Sequence, residues 1–196
     1  AWSVRLYSAA TTALNENSSF TVTPYLRLND MKFLQHYLVW QPTEKNAHDS
    51  LGVRTTIHTD AGVLRWVHGI EAEYTDATLK ETQDEDFSPN IPAGVHYDYQ
   101  VDASMAAIYT QLRTQYDTPW EFDLGVRLEY SNYDYHNRTT DGSPCSDAAD
   151  NCRFYRTAER EDDYTNWSTN AGVSYALPED HIFYLRHAQG LSLLPI

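Results

Sequence analysis

Two short tracts mix tyrosine with charged and polar side chains, and they are the parts of the sequence best suited to bind a small molecule. Tyrosine rings stack on planar groups, whereas carboxylate, imidazole and guanidinium groups form directional hydrogen bonds. Both tracts are expected near the outer ends of strands, where an aromatic girdle at a membrane boundary is an equally good interpretation. The first tract contains His96, Tyr97, Asp98 and Tyr99, and the second contains Tyr133, Asp134, Tyr135, His136 and Arg138.

Motifs of known enzyme classes do not accompany these tracts. The eight histidines show no HExxH or other paired spacing, and the sequence contains no GxSxG, P-loop or GxGxxG motif. We therefore predict no catalytic residue, no cofactor and no metal centre. Acidic runs at residues 84–86 and 159–163 carry oxygen ligands of the kind that Ca²⁺ prefers. Solvated charge in a loop is the more common role of such runs.

The two cysteines, Cys145 and Cys152, lie in a polar stretch with six residues between them. This short spacing predicts a local disulfide formed in an oxidising compartment. A metal site is the less favoured alternative, because two thiols alone lack further ligands at the spacing typical of zinc.

A strict two-residue alternation of apolar and polar side chains indicates the elements that carry these residues. Successive side chains of a β-strand point to opposite faces, so an alternating segment has one apolar face and one charged face. A strand of about 10 residues with this pattern suits a transmembrane β-barrel, with lipid outside and water inside. The clearest example places Trp120, Phe122, Leu124, Val126, Leu128 and Tyr130 between Glu121, Asp123, Gly125, Arg127 and Glu129.

The alternation recurs in about eight segments, and the connections between them are alternately short and long. Short turns at one edge and long loops at the other are typical of transmembrane barrels. We expect an all-β, antiparallel up-and-down transmembrane β-barrel segment over residues 1–196, with short periplasmic turns and long extracellular loops. Short turns are expected at residues 15–17, 60–62, 117–119 and 177–180, and long connections at 41–47, 75–99 and 134–163.

Two irregularities are expected in the second strand. The phase of the alternation slips near residues 29–31, which predicts a β-bulge. Pro24 lacks an N–H group and cannot donate to the ladder, which predicts a bulge or a locally frayed pairing.

Composition limits the class of protein further. The net charge of −14 disfavours a nucleic-acid partner, because 28 acidic groups would repel phosphates. The mean hydropathy of −0.59 is too polar for a helical membrane protein, and no stretch approaches the roughly 18 apolar residues of a transmembrane helix. Barrel strands are apolar only at every second position, so a barrel is hydrophilic overall. No signal peptide is visible at Ala1, which fits a mature or excised segment.

Four stretches resemble the TonB-dependent outer-membrane receptors of Gram-negative bacteria. The last of them is similar to the family's run of a strand, a short turn and a strand that ends in Gly, although Leu191 and Ser192 follow Gly190 where the family usually has Phe-Arg-Ala-Pro. The resemblance implies a barrel of about 22 strands around an N-terminal plug, energy supplied by TonB, and uptake of a scarce ligand such as a ferric siderophore. The stretches are residues 23–36 (TPYLRLNDMKFLQH), 95–107 (VHYDYQVDASMAA), 124–137 (LGVRLEYSNYDYHN) and 166–190 (NWSTNAGVSYALPEDHIFYLRHAQG).

The length allows only about eight of those strands and no plug. Our leading hypothesis is therefore a middle portion of such a barrel. Its partners would be outer-membrane lipid, the remaining strands, the plug, and TonB through that plug. The two tracts would bind a ferric chelate. The inward charges would contact the plug or a solute, although a mutually paired, solvated wall is the simpler interpretation. These charges are Glu71, Glu73, Glu121, Asp123, Arg127 and Glu129.

Two alternatives remain open from the sequence. The first is a complete eight-stranded outer-membrane barrel that acts as an enzyme or an adhesin. The second is a soluble, secreted β-barrel binding module, in which the apolar faces would point to the inside.

Overall fold

A computed structural model describes residues 1–114, 119–146, 151–178 and 181–190. These residues form nine antiparallel β-strands in one sheet, and none of them is helical. The described part of the chain therefore contains no helix able to cross a membrane. The strands are β1 (Trp2–Tyr7), β2 (Ala10–Asn15), β3 (Ser18–Leu34), β4 (Thr43–Ala61), β5 (Leu64–Gln83), β6 (Gly94–Thr114), β7 (Trp120–Asn137), β8 (Arg160–Ala176) and β9 (Ile182–Gln189).

The nine strands occupy eight positions in the sheet, as the alternation predicts. From β3 onward each strand pairs with the next in sequence, and β1 and β2 both pair with β3. β1 and residues 10–13 of β2 follow one register against β3, which shifts between Ala13 and Asn15. The gap between β1 and β2 lies opposite Pro24. Ser8 donates its N–H to the Pro24 carbonyl over 3.2 Å, but proline has no N–H to return. The predicted local fraying at Pro24 is confirmed.

The bulge predicted near residues 29–31 is wrong. β3 pairs with β4 without interruption from Ser18 to Leu34. The alternation slips there because Met31 and Phe33 are apolar residues on the otherwise polar face, and no extra residue is inserted.

The strands are longer than the alternation indicates. β3 to β8 contain between 17 and 21 residues each, and the long connections are residues 35–42, 84–93 and 138–159. The predicted boundaries at 41–47, 75–99 and 134–163 were therefore wrong, because the ladder continues where both faces are polar. The two short turns predicted at 15–17 and 60–62 are present, at residues 16–17 and 62–63. Residues 117–118 and 179–180 of the other two turns, and residues 191–195 after Gly190, lie outside the described residues.

The apolar face of the sheet is exposed and the charged face is covered. Phe122, Leu124 and Val126 are 45%, 55% and 48% exposed, whereas Glu71 is 7% exposed. Arg54 of β4 and Gly190, which follows β9, line one open cavity of about 550 Å³. The sheet therefore curls with its charged face inside. We call the apolar side the outer face and the charged side the inner face.

The position of the apolar stretch shifts from strand to strand. On the outer face of β3 it ends at Leu28, which lies in a cross-strand row with Asp134 of β7. On β7 the apolar stretch ends earlier, at Tyr130. Such a stagger is required when strands tilt by roughly 35–45° in a membrane, because rows across the strands then run at an angle to the membrane plane.

Acidic side chains end the apolar stretches. The Tyr74 hydroxyl donates to Asp102 Oδ1 and the Tyr130 hydroxyl to Asp163 Oδ1, each over 2.6 Å. These tyrosines have an apolar ring and a polar tip, as expected at the edge of a membrane. Beyond them lies an outer-face row of directly paired acids, the acidic row: Asp49, Asp76, Asp102, Asp134 and Glu161.

The sheet is open. Among the described residues, β1 pairs only with β3 and β9 only with β8. The nine strands therefore do not close on themselves, and the apolar face is not an interior. Neither the complete small barrel nor the soluble module is favoured by this arrangement.

The outward position of Leu124 leads to a stability prediction. In the full-length protein, Leu124→Arg should lower the free energy of unfolding from lipid bilayers by about 2–4 kcal/mol, since a cation then faces the hydrocarbon midplane. Denaturant titration of the protein refolded in liposomes measures this. Asn132→Arg is the control, on the same face of β7 beyond the apolar stretch, with an expected loss of about 0–1 kcal/mol. Equal losses for the two variants would show that Leu124 does not face lipid.

Candidate functional site

The strand alternation divides the predicted binding residues between two faces. Tyr97, Tyr99, Tyr133 and Tyr135 lie in the phase of Glu71 and Arg127, on the inner face, whereas Asp98, Asp134, His136 and Arg138 lie on the outer face. The two tracts therefore do not form one mixed cluster. Instead, the structure brings together the tyrosines of both tracts.

These tyrosines form an aromatic surface on the inner face near the long connections. The rings of Tyr99 and Tyr135 are 5.1 Å apart, and those of Tyr133 and Tyr164 are 6.0 Å apart. The surface, which we call the tyrosine wall, consists of Tyr97, Tyr99, Tyr133, Tyr135 and Tyr164.

Two of the aromatic residues at this surface were missed from the sequence. Tyr164 lies in the inward phase of β8, and extending the alternation beyond the apolar stretch would have found it. Phe154 packs edge-on against Tyr97 with ring centroids 5.8 Å apart. Phe154 comes from the loop at residues 138–159, where no sequence periodicity indicates which side chains turn inward.

The central tyrosines are held in their protonated form. Tyr99 and Tyr135 lie beyond the apolar stretches, and burial raises the pKa of both phenols above the ordinary value. The nearby Tyr135 and Glu44 raise the pKa of Tyr99 further, whereas Arg160 lowers that of Tyr135. Both hydroxyls therefore stay neutral at physiological pH, where they can stack and donate hydrogen bonds.

The outward members of the two tracts pair with their own neighbours. Asp98 accepts a hydrogen bond of 2.8 Å from Lys80 Nζ. His136 Nε2 lies 3.4 Å from Asp134 and 3.6 Å from Asp102. The Arg138 guanidinium donates to the side-chain carbonyl of Gln100, its neighbour on that face. None of these side chains reaches the inner cavity.

His96 is the exception to the alternation, because it occupies a bulge. Glu81 pairs with Tyr97 and Thr82 with Val95, so His96 is the extra residue of β6. A bulge turns such a residue out of the regular pattern. His96 is completely buried, and its ring stacks on Phe154 at 3.7 Å between centroids. It is a packing residue and is not accessible to a ligand.

Both ring nitrogens of His96 face oxygen atoms. Nε2 lies 2.8 Å from the Pro92 carbonyl, which can only accept, so Nε2 carries a hydrogen. Nδ1 lies 2.9 Å from Glu81 Oε1, within hydrogen-bond distance. Gln35 donates to the other Glu81 oxygen over 3.3 Å. This buried group, the His96 node, consists of Gln35, Glu81, Pro92, His96 and Phe154, and it joins all three long connections.

Further contacts hold these connections together. Arg153 lies over the Trp40 ring at 4.6 Å, and Trp40 packs against Phe87 at 6.1 Å between ring centroids. Arg156 donates to the backbone carbonyls of Val95 and His96. The predicted disulfide between Cys145 and Cys152 is confirmed, with 5.8 Å between the Cα atoms. It ties together the two halves of the loop at residues 138–159.

The inner face below the tyrosine wall is a paired ionic surface. Glu71 accepts hydrogen bonds from Arg54 over 2.7 Å and from Arg127 over 2.9 Å, and Arg127 also donates to Glu129 over 2.7 Å. These inward charges therefore pair with one another, which was the simpler of the two interpretations of the sequence. Two more inward charges have partners: Glu73 accepts from Tyr25 and Arg27, and Glu121 from Arg113.

Glycines allow large side chains to lie flat on this inner wall. A Cβ atom at Gly52 would lie 2.3 Å from the Tyr25 ring, and one at Gly69 would lie 2.2 Å from the Tyr109 ring. Because these positions have no side chain, Tyr25 reaches across β4 to Glu73 on β5. Within the described residues, no group of three or more His, Cys, Asp or Glu side chains is arranged to hold a metal ion.

Comparison with known proteins places this sheet among bacterial receptors. The family model described as "TonB dependent receptor-like, beta-barrel" matches residues 1–193. A search of curated proteins found no match. The fold is similar to the open form of the ferric-catecholate import receptor Fiu from E. coli K12, with a TM-score of 0.65 and 14% identity over 95% of this chain and 35% of Fiu.

Two further solved structures show the same fold. The copper transporter OprC has a TM-score of 0.64 and 11% identity over 95% of this chain and 30% of OprC. The siderophore receptor PiuA from Acinetobacter baumannii has a TM-score of 0.57 and 14% identity over 94% of this chain and 32% of PiuA. The chain thus spans about a third of the length of each of these structures.

The His96 node leads to a prediction about the long connections. In the full-length protein, His96→Ala should leave Oε1 of the buried Glu81 carboxylate without its partner and remove the support for Phe154. The three connections should then open more easily, by about 1–3 kcal/mol. Hydrogen exchange measured by mass spectrometry at residues 35–42, 84–93 and 138–159 would detect this opening. His136→Ala, on the outer face of β7, is the control and should leave exchange unchanged. Unchanged protection in His96→Ala would contradict the role of the node.

Proposed function

Because this chain belongs to the TonB-dependent receptor β-barrel family, we propose that it forms part of the barrel wall of a Gram-negative outer-membrane receptor that takes up a ferric siderophore. Its outer face would contact outer-membrane lipid. Its two open edges, at β1 and β9, would pair with the remaining barrel strands. A plug domain would fill the barrel and connect it to TonB. The function is binding and passage of a ligand, without covalent chemistry.

The observation that carries the ligand proposal is the tyrosine wall. Its rings lie on the inner face at the end of the sheet where the three long connections meet. In a barrel oriented with its long loops outside, this is the position that an external ligand reaches first. Stacked, neutral phenols suit a planar aromatic group that carries oxygen atoms, because the ring supplies contact area and the hydroxyl supplies a hydrogen bond.

Arg160 adds charge to this surface. It is directly paired with Tyr135, on the inner face at the start of β8. Its guanidinium also contacts Asp162 over 2.9 Å, and it is 39% exposed. A partly exposed guanidinium beside aromatic rings favours an anionic aromatic chelate. Two proteins with this fold, a ferric-catecholate import receptor and a siderophore receptor, are named for ligands of this kind.

The paired ionic wall below would face the plug and the water of the lumen. Glu71, Arg54 and Arg127 satisfy one another, so they present no unpaired charge that would trap a passing ligand. The tyrosine wall would therefore supply the first contacts, and the inner wall would remain a neutral, hydrated path.

The ligand proposal predicts different effects for two tyrosines of the same strand. In the full-length receptor, Tyr135→Ala should weaken binding of an iron(III) tris-catecholate complex by about tenfold, since it removes a stacking partner and a hydrogen-bond donor. Tyr135→Phe should recover part of this loss. Tyr130→Ala, on the outer face of β7, should leave affinity unchanged. Titration of the purified receptor in detergent by fluorescence quenching measures the three affinities.

Heat-modifiable gel migration shows that each variant remains folded. If Tyr135→Ala and Tyr130→Ala bind the complex as tightly as the wild type, the tyrosine wall is not the binding surface. If the wild-type receptor itself does not bind the complex, the ligand class is wrong while the barrel assignment stands.

A further inference from the structure

An arginine at the open edge of the sheet faces a second arginine. Arg5 of β1 is directly opposite Arg27 of β3. Arg27 pairs with Glu73 on the inner face, so Arg5 is on the inner face as well, because directly opposite residues share a face. Like charges in this arrangement destabilise a sheet. The pair therefore needs a counter-charge close to Arg5.

The residues around Arg5 on this face do not supply a counter-charge. Arg5 is exposed, and it forms no ion pair with any residue that the structure describes. Its nearest inner-face neighbours along β1, and those of Arg27 along β3, include no acid: they are Ser3, Tyr7, Tyr25 and Asn29. The counter-charge must therefore come from another strand.

The carboxylate of Glu73 is already occupied. It accepts hydrogen bonds from the Tyr25 hydroxyl and the Arg27 guanidinium, and a third from Thr75 Oγ1 over 3.1 Å. Glu73 is on β5, which is three positions from β1 in the sheet, or about 14 Å at the usual strand spacing. Arg27 reaches Glu73 across β4, but Arg5 starts one strand further away. Glu73 is therefore the partner of Arg27 and does not reach Arg5.

Other inner-face arginines show how this wall neutralises its charges. Arg54 of β4 is directly opposite Glu71 of β5, and their side chains lie 2.7 Å apart. At the opposite edge of the sheet, Arg186 of β9 is directly opposite Gly172 of β8. The carboxylate of Asp123 on β7 covers that glycine, because a Cβ atom there would lie 2.2 Å from Asp123 Oδ1. The acid thus comes from a strand one or two positions away.

We propose that the barrel strand adjoining the free edge of β1 carries an aspartate or glutamate that pairs with Arg5 inside the barrel. Arg5 has a neighbouring strand on one side only, because β1 pairs with β3 alone among the described strands. On the adjoining strand, a carboxylate directly opposite Arg5 would lie on the same face, with about 5 Å between the Cβ atoms. This spacing suits a guanidinium–carboxylate pair. The inference rests on the barrel-wall position proposed above and does not depend on the ligand.

The test uses the full-length receptor in detergent with the variant Arg5→Lys, which keeps the positive charge and adds an amine. A carbodiimide joins that amine to a carboxylate only when the two groups are in direct contact. Mass spectrometry of the digested receptor identifies the joined peptides. We expect an amide between position 5 and a carboxylate of the strand adjoining β1. Its yield should be about tenfold above that of a lysine without such a neighbour, since contact replaces chance collision.

Two control variants calibrate this yield, and heat-modifiable gel migration shows that each variant remains folded. Thr11→Lys places an amine on the inner face of the same edge, about 20 Å along the sheet from Arg5, and should give only the background. Arg54→Lys should couple to Glu71, because Arg54 Nη2 lies 2.7 Å from Glu71 Oε1. Changing the identified acid to its amide should return the yield of Arg5→Lys to the background.

Coupling of Arg5→Lys to the plug, or to an acid within residues 1–196, would overturn the proposal, because the partner would not lie on the adjoining strand. A yield equal to that of Thr11→Lys, in a receptor whose Arg54→Lys variant couples to Glu71, would overturn it as well. If the wild-type receptor shows no heat-modifiable migration, the barrel assignment itself fails. Failure of the barrel and failure of the ion pair at Arg5 are therefore separate outcomes.

Discussion

The outward orientation of the apolar side chains determines the rest of this structure. Because strand residues alternate, placing Leu124 and Val126 outside forces Arg127 and Glu129 inside. Charges turned inward must be paired, since an isolated buried charge is costly. The sheet meets this requirement across three strands, because Glu71 of β5 forms ion pairs with Arg54 of β4 and Arg127 of β7. The three side chains lie within contact distance because the sheet curls toward its charged face.

A second architecture begins where the apolar stretch ends. The strands continue beyond the acidic row with both faces polar, and the three long connections pack on the inner face at their ends. There the buried ring of His96 meets Glu81 and the Pro92 carbonyl. The tyrosine wall lies against this packed cap. The sheet thus has one part specified by alternation and another part specified by individual contacts.

The sequence allowed the first part to be predicted and left most of the second open. The number of strands, their faces, the frayed pairing at Pro24 and the disulfide follow from local signals that act within one strand or loop. The strand ends did not follow, because alternation disappears where water covers both faces although backbone pairing persists. Nor could the inward turn of His96 be predicted, since it depends on a bulge set by the register with β5. The two tracts that the sequence suggested as mixed binding sites therefore have their tyrosines on the inner face and most of their charged residues in pairs on the outer face.

The orientation itself is tested most directly by lipid exposure along β7. Single cysteines introduced at residues 122–129 of the full-length receptor, labelled with a nitroxide and placed in bilayers, report contact with lipid through collision with dissolved oxygen. High oxygen accessibility should alternate, with maxima at Phe122, Leu124, Val126 and Leu128 and minima at the residues between them. Maxima at Asp123, Arg127 and Glu129, or no alternation at all, would contradict the account.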